Sequence, residues 1–309
     1  MTSIEQSNEW MREMRRGDWE AAWRISDRIC EERRGLQPRD VQTGQQVPRH
    51  LQWVWDGSSL IGKRVLVCCY HGLGDTIQFI RFVPLLKRSV AQITVVAQAK
   101  LLPLLETIEG IDALLPLEER PCSAQRDVDI EIMELPHALR TTLRTLPAKV
   151  PYLHVKAKAR PSAPRPYPRV GLVWQSGSWD ANRSVEPQLM AKLTELDGIH
   201  FSILQRGLGF ASLCPVGGEV PLIHDILDEA AELLSLDLLV CVDTFSAHLA
   251  GALGVPTWTL LPVQADWRWM DGREDTPWYP TMRLFRQGQA GDWESVIARV
   301  AQELKRIAQ

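Results

Sequence analysis

The sequence predicts an α/β protein of two halves, each with a parallel β-sheet that carries helices on its faces. Strand-like and helix-like segments alternate from Gly62 onwards, which is the pattern of parallel sheets. A stretch rich in proline and basic residues, 155–169, interrupts this alternation and is typical of a solvated linker. Two halves joined in this way imply a cleft between them, with ligands bound beyond the carboxyl ends of the strands.

A helical hairpin is predicted ahead of these halves. The segment 4–15 favours a first helix, and Gly17 suits the position after its end. Asp18 can cap a second helix over 19–33. The pattern GDWEAAWRISDRI resembles one degenerate tetratricopeptide-type helix pair, which must pack on the next domain or on a partner to bury its apolar face. Residues 34–48, rich in Gln, Gly and Pro, are predicted to be a connector.

Each half contributes its own strands and helices, assigned from the periodicity of apolar residues. In the first half, we predict strands over 64–69, 92–97, 112–116 and 128–132, and helices over 75–88, 99–108 and 135–143. In the second half, we predict strands over 169–174, 200–205, 220–223, 238–242 and 257–261, and helices over 186–196, 228–235, 245–253 and 292–307.

The composition argues against several classes of protein. A chain of 309 residues suffices for two domains of ordinary size, and its net charge of −3 gives no reason to expect binding to nucleic acid or to anionic membranes. No stretch is both long and apolar enough to cross a bilayer. The N-terminus lacks the apolar core of a signal peptide, so a cytoplasmic location is expected. The six cysteines lack the paired spacing of a zinc site, and we interpret them as structural.

A candidate anion site follows the fourth predicted strand of the second half. Asp243, Thr244, Phe245 and Ser246 lead from that strand into a helix that Gly254 ends. The N–H groups and the positive dipole end of a helix N-terminus attract anions, and the two hydroxyls add donors. The alternative is that Asp243 or Thr244 only caps the helix.

Arg183 strengthens the anion interpretation. It lies in the loop WQSGSWDANRS, which leaves the same edge of the second half as the Asp243 turn. A guanidinium in that place could neutralise a pyrophosphate. The alternative is an ordinary surface arginine.

The glycine-rich segment HGLGD, residues 71–75, joins the first predicted strand of its half to the next helix. Gly72 and Gly74 supply two glycines of a dinucleotide fingerprint, but Ile77 stands where the third is needed. A carboxylate at position 75 would also repel a phosphate. We interpret the glycines as allowing close approach of a ligand, and Asp75 as a candidate general base in the cleft. The alternative is that Asp75 caps the following helix.

Two further features receive weaker interpretations. His71 and His248 stand in no readable catalytic or metal-binding pattern, and we interpret them only as candidate ligand contacts. The sequence DVD at 127–129 is interpreted as a polar strand edge and not as a metal site, because it continues directly into a strand-like run.

Five segments in order resemble one protein family. They read HGLGDTIQFIRFVPLL, VDTFSAHLAGALGVPTWTLLP, ADWRWM, REDTPWYPTMRLFRQ and GDWESVIARVAQEL. Over about residues 50–309, the chain resembles the glycosyltransferase family 9 domain, a heptosyltransferase-like group, in the subgroup that follows tetratricopeptide repeats. The resemblance implies a GT-B fold, in which two Rossmann-like domains face a cleft, here after a short helical hairpin. The predicted divisions are 1–48 for the hairpin and connector, 49–157 for the acceptor domain and 158–309 for the nucleotide-sugar donor domain.

The resemblance also implies an activity. It is inverting, metal-independent transfer of a sugar, typically heptose, from a nucleotide diphosphate donor to an acceptor hydroxyl. Asp75 matches the proposed base, and His71, Gly72 and Gly74 form its loop on the acceptor side. The predicted donor-binding residues are Arg183, Gln205, Asp243, Thr244, Phe245 and Ser246. The donor is expected to be ADP-linked, and no cofactor or metal is implied.

The chain departs from this family in two ways. Its repeat array is nearly absent, although the hairpin could still contact another protein. Its first half lacks the dense basic cluster expected for a phosphorylated lipopolysaccharide core, so the acceptor stays open between a glycan, a lipid-linked saccharide and a protein. One alternative is an inactive nucleotide-binding or scaffold protein of the same fold. Another is a sugar-nucleotide epimerase of similar architecture.

Overall fold

The two sheets of the protein lie in separate units of the chain. The structure, a computed structural model, describes residues 3–34, 54–117, 126–155, 166–177, 180–207 and 216–309. One unit comprises Met1–Pro147 and the other Ala148–Gln309. The predicted divisions near residues 48 and 157 lie outside the described residues and stay predictions, as do most of the connector and the linker.

The first unit begins with the predicted hairpin. Helix α1 spans Ser3–Arg16, and α2 spans Trp19–Arg33. Between them Gly17 has a positive φ of 84°, which a glycine adopts at little cost. The Asp18 side chain accepts the Ala21 N–H at 2.9 Å. The hairpin and its cap are therefore confirmed.

The hairpin packs on a segment near the end of the first unit. Trp23 of α2 donates its indole N–H to the Thr141 carbonyl at 2.6 Å and stacks on the ring of His137. Asp27 accepts hydrogen bonds from both terminal nitrogens of Arg140, at 2.7 and 2.8 Å. These contacts bury the face that an isolated helix pair would leave exposed.

The sheet of the first unit has four parallel strands in the order β3–β2–β1–β4. Its strands are β1 (Arg64–Cys68), β2 (Gln92–Ala97), β3 (Ala113–Pro116) and β4 (Val128–Glu131). Its helices are α3 (Leu73–Phe79), α4 (Val83–Lys87), α5 (Leu102–Leu105) and α6 (Leu135–Ala138). Because the strands run in one direction, the segments that follow β1, β2 and β4 meet at one edge of the sheet.

The sheet of the second unit has five parallel strands in the order β6–β5–β7–β8–β9. Its strands are β5 (Arg169–Val173), β6 (His200–Ile203), β7 (Leu238–Val242), β8 (Thr257–Leu261) and β9 (Met282–Arg286). Its helices are α7 (Pro187–Thr194), α8 (Ile226–Leu234), α9 (Phe245–Leu253) and α10 (Trp293–Ile307). On α9, Gly251 permits close packing, since an added Cβ would lie 2.4 Å from the ring of Tyr279. The mixed α/β prediction with parallel sheets is confirmed.

One predicted strand of the second unit is wrong, and one observed strand was not predicted. No strand covers 220–223, where the neighbouring Glu219 makes only an isolated bridge with Ser202. Pro221 lacks the N–H that a strand needs for its ladder. The missed strand β9 pairs along the outer side of β8. Its two arginines interrupt the apolar pattern of Met282, Leu284 and Phe285, so the strand was not recognised from the sequence.

Three helices of the first unit are shorter than predicted. The helix predicted over 75–88 is divided into α3, a 3₁₀ turn at Ile80–Phe82 and α4. Pro84 at the start of α4 cannot donate a hydrogen bond to the preceding turn, which explains the break. Pro103 occupies the same place in α5 and Pro136 in α6. No helix in the described ranges is both long and apolar enough to cross a membrane.

Candidate active site

The HGLGD segment forms the turn between β1 and α3. Gly72 is the N-cap of α3, and Asp75 lies in the first helical turn, where its Oδ2 accepts the Gly72 N–H at 3.0 Å. A Cβ on Gly72 would lie 3.1 Å from that oxygen, so the glycine gives the carboxylate room. Asp75 is half-buried and His71 is exposed. Asp75 thus does cap its helix, as the alternative interpretation held, and its role as a base stays a prediction.

Gln98, directly after β2, braces this turn. Its side-chain amide donates to the His71 carbonyl at 2.8 Å and to the Cys69 carbonyl at 3.2 Å. Its Oε1 accepts the Thr76 hydroxyl at 2.9 Å. Sequence reasoning missed Gln98. The available signal was a polar side chain at the carboxyl end of a strand.

Glu131, the last residue of β4, is a second carboxyl at this edge of the sheet. Its side chain is buried, its Oε2 accepts the Met133 N–H at 2.6 Å, and its Oε1 lies 4.0 Å from Nε2 of His71. Burial, reinforced by the negative charges of Glu134 and Asp75, raises the pKa of Glu131 to about 8. Sequence reasoning missed this residue because the run VDIEI was assigned only as a strand.

The carboxylates of the DVD segment pair with arginines. Asp127 accepts from the Arg64 backbone N–H at 2.9 Å and from its guanidinium at 2.7 Å. Asp129 accepts from Nε of Arg126 at 2.5 Å. These pairs agree with the interpretation as a polar strand edge. Within the described part of the chain, no group of three or more His, Cys, Asp or Glu side chains could hold a metal ion.

The second turn of interest joins β7 to α9. Thr244 is the N-cap of α9, but its side chain makes no capping hydrogen bond. Gly254 ends the helix with a positive φ of 76°. The first turn of such a helix presents N–H groups that have no partner within the helix. The cap alternative therefore holds for the backbone of Thr244 and not for its hydroxyl.

The structure brings Arg183 to this turn. Its Nη1 donates to the backbone carbonyl of Asp243 at 3.1 Å and lies 3.6 Å from Oδ2 of the same residue. The Asp243 side chain is buried, which raises its pKa, while the charges of Arg268 and Arg183 oppose that effect. A buried carboxylate needs such a cationic neighbour. Arg183 is thus anchored at the predicted anion turn, and its donor-binding role stays a prediction.

His248 of α9 lies behind this ion pair. Its Nδ1 shares a hydrogen bond of 2.9 Å with the hydroxyl of Tyr279, and its Nε2 lies 3.9 Å from Oδ1 of Asp243. Its ring stacks on Trp269 with centroids 5.4 Å apart. The histidine is buried, and these contacts give it a supporting position beneath the turn.

Two other predicted donor residues have polar contacts inside the unit. Oε1 of Gln205 accepts the backbone N–H groups of Trp174 at 3.0 Å and Gln175 at 2.8 Å. Ser246 donates its hydroxyl to Oε1 of Glu229 at 3.2 Å. Gln205 thus ties together the segments that follow β5 and β6. Contact of these residues, and of the half-buried Phe245, with a ligand stays a prediction.

The two parallel-sheet units give the protein the fold of GT-B-type glycosyltransferases. The structure resembles that of the glycosyl transferase family 9 from Veillonella parvula DSM 2008, with a TM-score of 0.58 and 15% identity, over 81% of this chain and 91% of that chain. It resembles the E. coli ADP-heptose lps heptosyltransferase II equally, with a TM-score of 0.58 and 14% identity, over 79% of this chain and 98% of that chain. Likeness at these identities establishes the fold alone.

One curated sequence relative adds a comparison of length. Protein FlbA of Caulobacter vibrioides is 27% identical over an alignment of 293 residues, which covers 82% of this chain and 48% of FlbA. The chain therefore spans about half the length of this relative. No family model matches the sequence. Membership of the tetratricopeptide-associated subgroup stays a prediction.

Proposed function

We propose that the protein is a glycosyltransferase that moves a sugar from a nucleotide diphosphate donor to an acceptor hydroxyl, with inversion and without a metal ion. One observation carries the proposal. The N-terminus of α9 presents a Thr244 hydroxyl that makes no capping hydrogen bond, next to the Arg183 guanidinium that Asp243 anchors. Helix N–H groups, a hydroxyl and a guanidinium together suit a diphosphate.

The similar structures guide the choice of donor. One of them is an ADP-heptose heptosyltransferase by its own description. We therefore propose an ADP-linked donor and heptose as the first sugar to test. The acceptor class is a glycan, a lipid-linked saccharide or a protein.

In the proposed mechanism, Asp75 takes the proton of the acceptor hydroxyl. The acceptor oxygen attacks the anomeric carbon on the face opposite the diphosphate, and the bond from that carbon to the diphosphate breaks. Negative charge develops on the departing diphosphate, where Arg183 and the N-terminus of α9 stabilise it. The Gly72 N–H holds one oxygen of the Asp75 carboxylate in place.

Turnover of nucleotide sugars tests this proposal. Purified protein is incubated with a panel of ADP-, UDP- and GDP-linked sugars and candidate acceptors, with and without EDTA, and the products are identified by mass spectrometry. Transfer that EDTA does not reduce, together with inverted configuration in the product, supports the proposal. Full loss of transfer in EDTA would contradict the metal-independent mechanism.

A nucleotide-binding protein without turnover is the second candidate. This candidate is favoured because polar side chains of the proposed site already have partners within the protein. Gln205 and Ser246 form hydrogen bonds within their own unit, and Asp75 caps its own helix. Saturable ADP binding without transfer or hydrolysis of any donor in the panel would support this candidate. Isomerisation of the donor without an acceptor would instead identify an epimerase.

A further inference from the structure

We propose that Glu131 is a positioning residue of the acceptor site, a carboxylic acid that stays protonated at neutral pH and so adds no further negative charge beside Asp75. This inference concerns the acceptor site and rests on the proposed function for its effect on transfer. The protonation itself can be tested without any enzymatic activity.

The carboxyl of Glu131 is fixed by its own backbone turn. Its Oε2 accepts the Met133 N–H at 2.6 Å, and its N–H donates to Oε2 of Glu134 at 2.8 Å. This reciprocal capping uses only one of the two carboxyl oxygens. The other, Oε1, is buried and has no hydrogen-bond partner among the described residues.

Among the described residues, the charged and titratable groups around Glu131 do not neutralise a negative charge on its carboxyl. Glu134 lies on the next turn, and Asp75 lies across the same edge of the sheet, so two like charges act on it. Cys69 after β1 is a buried thiol. His71 lies 4.0 Å away, beyond hydrogen-bonding distance, and is exposed to solvent.

These surroundings favour the neutral acid over the carboxylate. The Glu131 side chain is only 7% exposed, and an ionised oxygen without a hydrogen-bond donor pays the full cost of desolvation. Burial and the like charges of Glu134 and Asp75 outweigh the backbone hydrogen bonds from Met133 and Tyr70, and they raise the pKa of Glu131 to about 8. Glu131 therefore keeps its proton at neutral pH.

The consequence for catalysis is a change of charge beside the base. When Glu131 loses its proton to solvent in alkaline buffer, a second negative charge forms next to Asp75. That charge changes the electrostatic field in which the acceptor hydroxyl gives up its proton, and with it the rate of transfer. A residue that served only to cap the following 3₁₀ turn, Ile132–Glu134, would have no such effect.

Unfolding as a function of pH tests the protonation. The unfolded side chain loses its proton near 4.5 and the folded one near 8. Between these values the folded state binds more protons, so stability falls as pH rises. We expect Glu131→Gln to remove this part of the slope of Tm against pH. The matched variant Glu134→Gln should retain it with a midpoint at lower pH, because the Glu134 charge also raises the pKa of Glu131. In an Asp75→Asn background, the midpoint of the Glu131 contribution should shift to lower pH.

Infrared difference spectra of the folded protein between pH 6 and pH 9.5 give a second measurement. The carbonyl band of a protonated carboxyl should disappear at the higher pH in wild type and be missing from Glu131→Gln at both. Equal Tm slopes and equal spectra for wild type and Glu131→Gln would overturn the proposal.

The pH profile of transfer then tests the effect on catalysis. We expect an inflection near pH 8 in kcat/KM for wild type that is lost in Glu131→Gln and kept, at a lower pH, in Glu134→Gln. Transfer without that inflection would overturn the positioning role alone. Absence of transfer from every donor would count against the proposed function, while the unfolding and infrared results would still decide the protonation.

Discussion

The β1–α3 turn and the β7–α9 turn share a local fold but give their aspartates opposite neighbours. Each aspartate follows a central parallel strand. Asp75 lies in the first turn of α3, and Asp243 directly precedes the N-cap of α9. Asp75 is half-buried and shares its edge of the sheet with the acid Glu131. Asp243 is buried and lies 3.6 Å from the cation Arg183.

The two turns therefore place an aspartate in two different electrostatic settings. In the first turn, the buried acid Glu131 lies near Asp75, which we propose as the base for proton transfer. An acid beside a guanidinium holds that cation in place, which suits binding of an anion. Both aspartates lie where a central strand leads into a helix, and the neighbouring residues, Glu131 at the end of β4 and Arg183 in the loop after β5, differ in charge.

Replacing the first aspartate should have the largest effect on activity. Asp75→Asn keeps an oxygen that can accept the Gly72 N–H but removes the base. We expect the rate of transfer to fall by about two to four orders of magnitude. ADP affinity, measured by calorimetry, should not change.

Asp18→Asn is the matched control for Asp75→Asn. Asp18 also caps a helix of the first unit, by accepting the Ala21 N–H, and has no place in the proposed site. The Asp18→Asn variant should lose a little stability and no transfer activity. If Asp75→Asn retained transfer within tenfold of wild type, the base assignment would fall and the two turns would differ less than we propose.

The second aspartate should matter more for stability. Asp243→Asn leaves Arg183 without its buried carboxylate, and loss of one partner of a buried pair costs about 3 kcal/mol. Glu131→Gln should cost little at pH 5 and should stabilise the fold at pH 8.5, because wild type loses the stability contributed by the Glu131 proton as pH rises from 4.5 to about 8. Urea unfolding of both variants at the two pH values measures the contrast. Equal destabilisation by the two substitutions would remove the electrostatic difference between the turns.

Arg183 tests the anion-binding side of the comparison. Arg183→Gln removes a charge-assisted contact to the proposed diphosphate, and we expect ADP affinity to fall about 10- to 100-fold. Arg183→Lys keeps the charge without the planar guanidinium. Its ADP affinity should lie between those of wild type and Arg183→Gln. Calorimetric titration with ADP measures all three proteins.

Arg283→Gln is the control for charge alone. Arg283 also pairs with carboxylates, those of Glu274 and Glu303, but lies on β9 away from the turn. The Arg283→Gln variant should bind ADP with the affinity of wild type. Unchanged affinity in Arg183→Gln would move the proposed donor site away from the N-terminus of α9.

The sequence predicted the features of each turn that depend on local pattern. Asp75 follows a glycine-rich turn, Thr244 begins a helix, and the Arg183 loop leaves the same edge as the Asp243 turn, all of which can be seen along the chain. Each follows from strand direction and helix capping. The observed distance of 3.1 Å from Arg183 to the Asp243 carbonyl agrees with that reasoning.

The partners of Asp75 could not be predicted in the same way. Gln98 and Glu131 reach the β1–α3 turn only because β2 and β4 flank β1 in the sheet order. That order depends on packing of the whole unit, and no short segment encodes it. Strand β9 was missed for a related reason, since its alternation of arginines with apolar residues has meaning only beside β8.

The smallest expected effect belongs to Thr244. Its hydroxyl makes no capping hydrogen bond, so Thr244→Val, which keeps the β-branched shape, should leave the Tm nearly unchanged. Loss of one neutral hydrogen bond to the diphosphate is worth about 1 kcal/mol, so ADP affinity should fall about fivefold. Thr281→Val is the control, because that hydroxyl donates to the Val255 carbonyl at the opposite edge of the sheet. A fall in Tm without a fall in affinity would identify Thr244 as a cap alone, and the β7–α9 turn would then depend on Arg183 and the helix N–H groups for its anion.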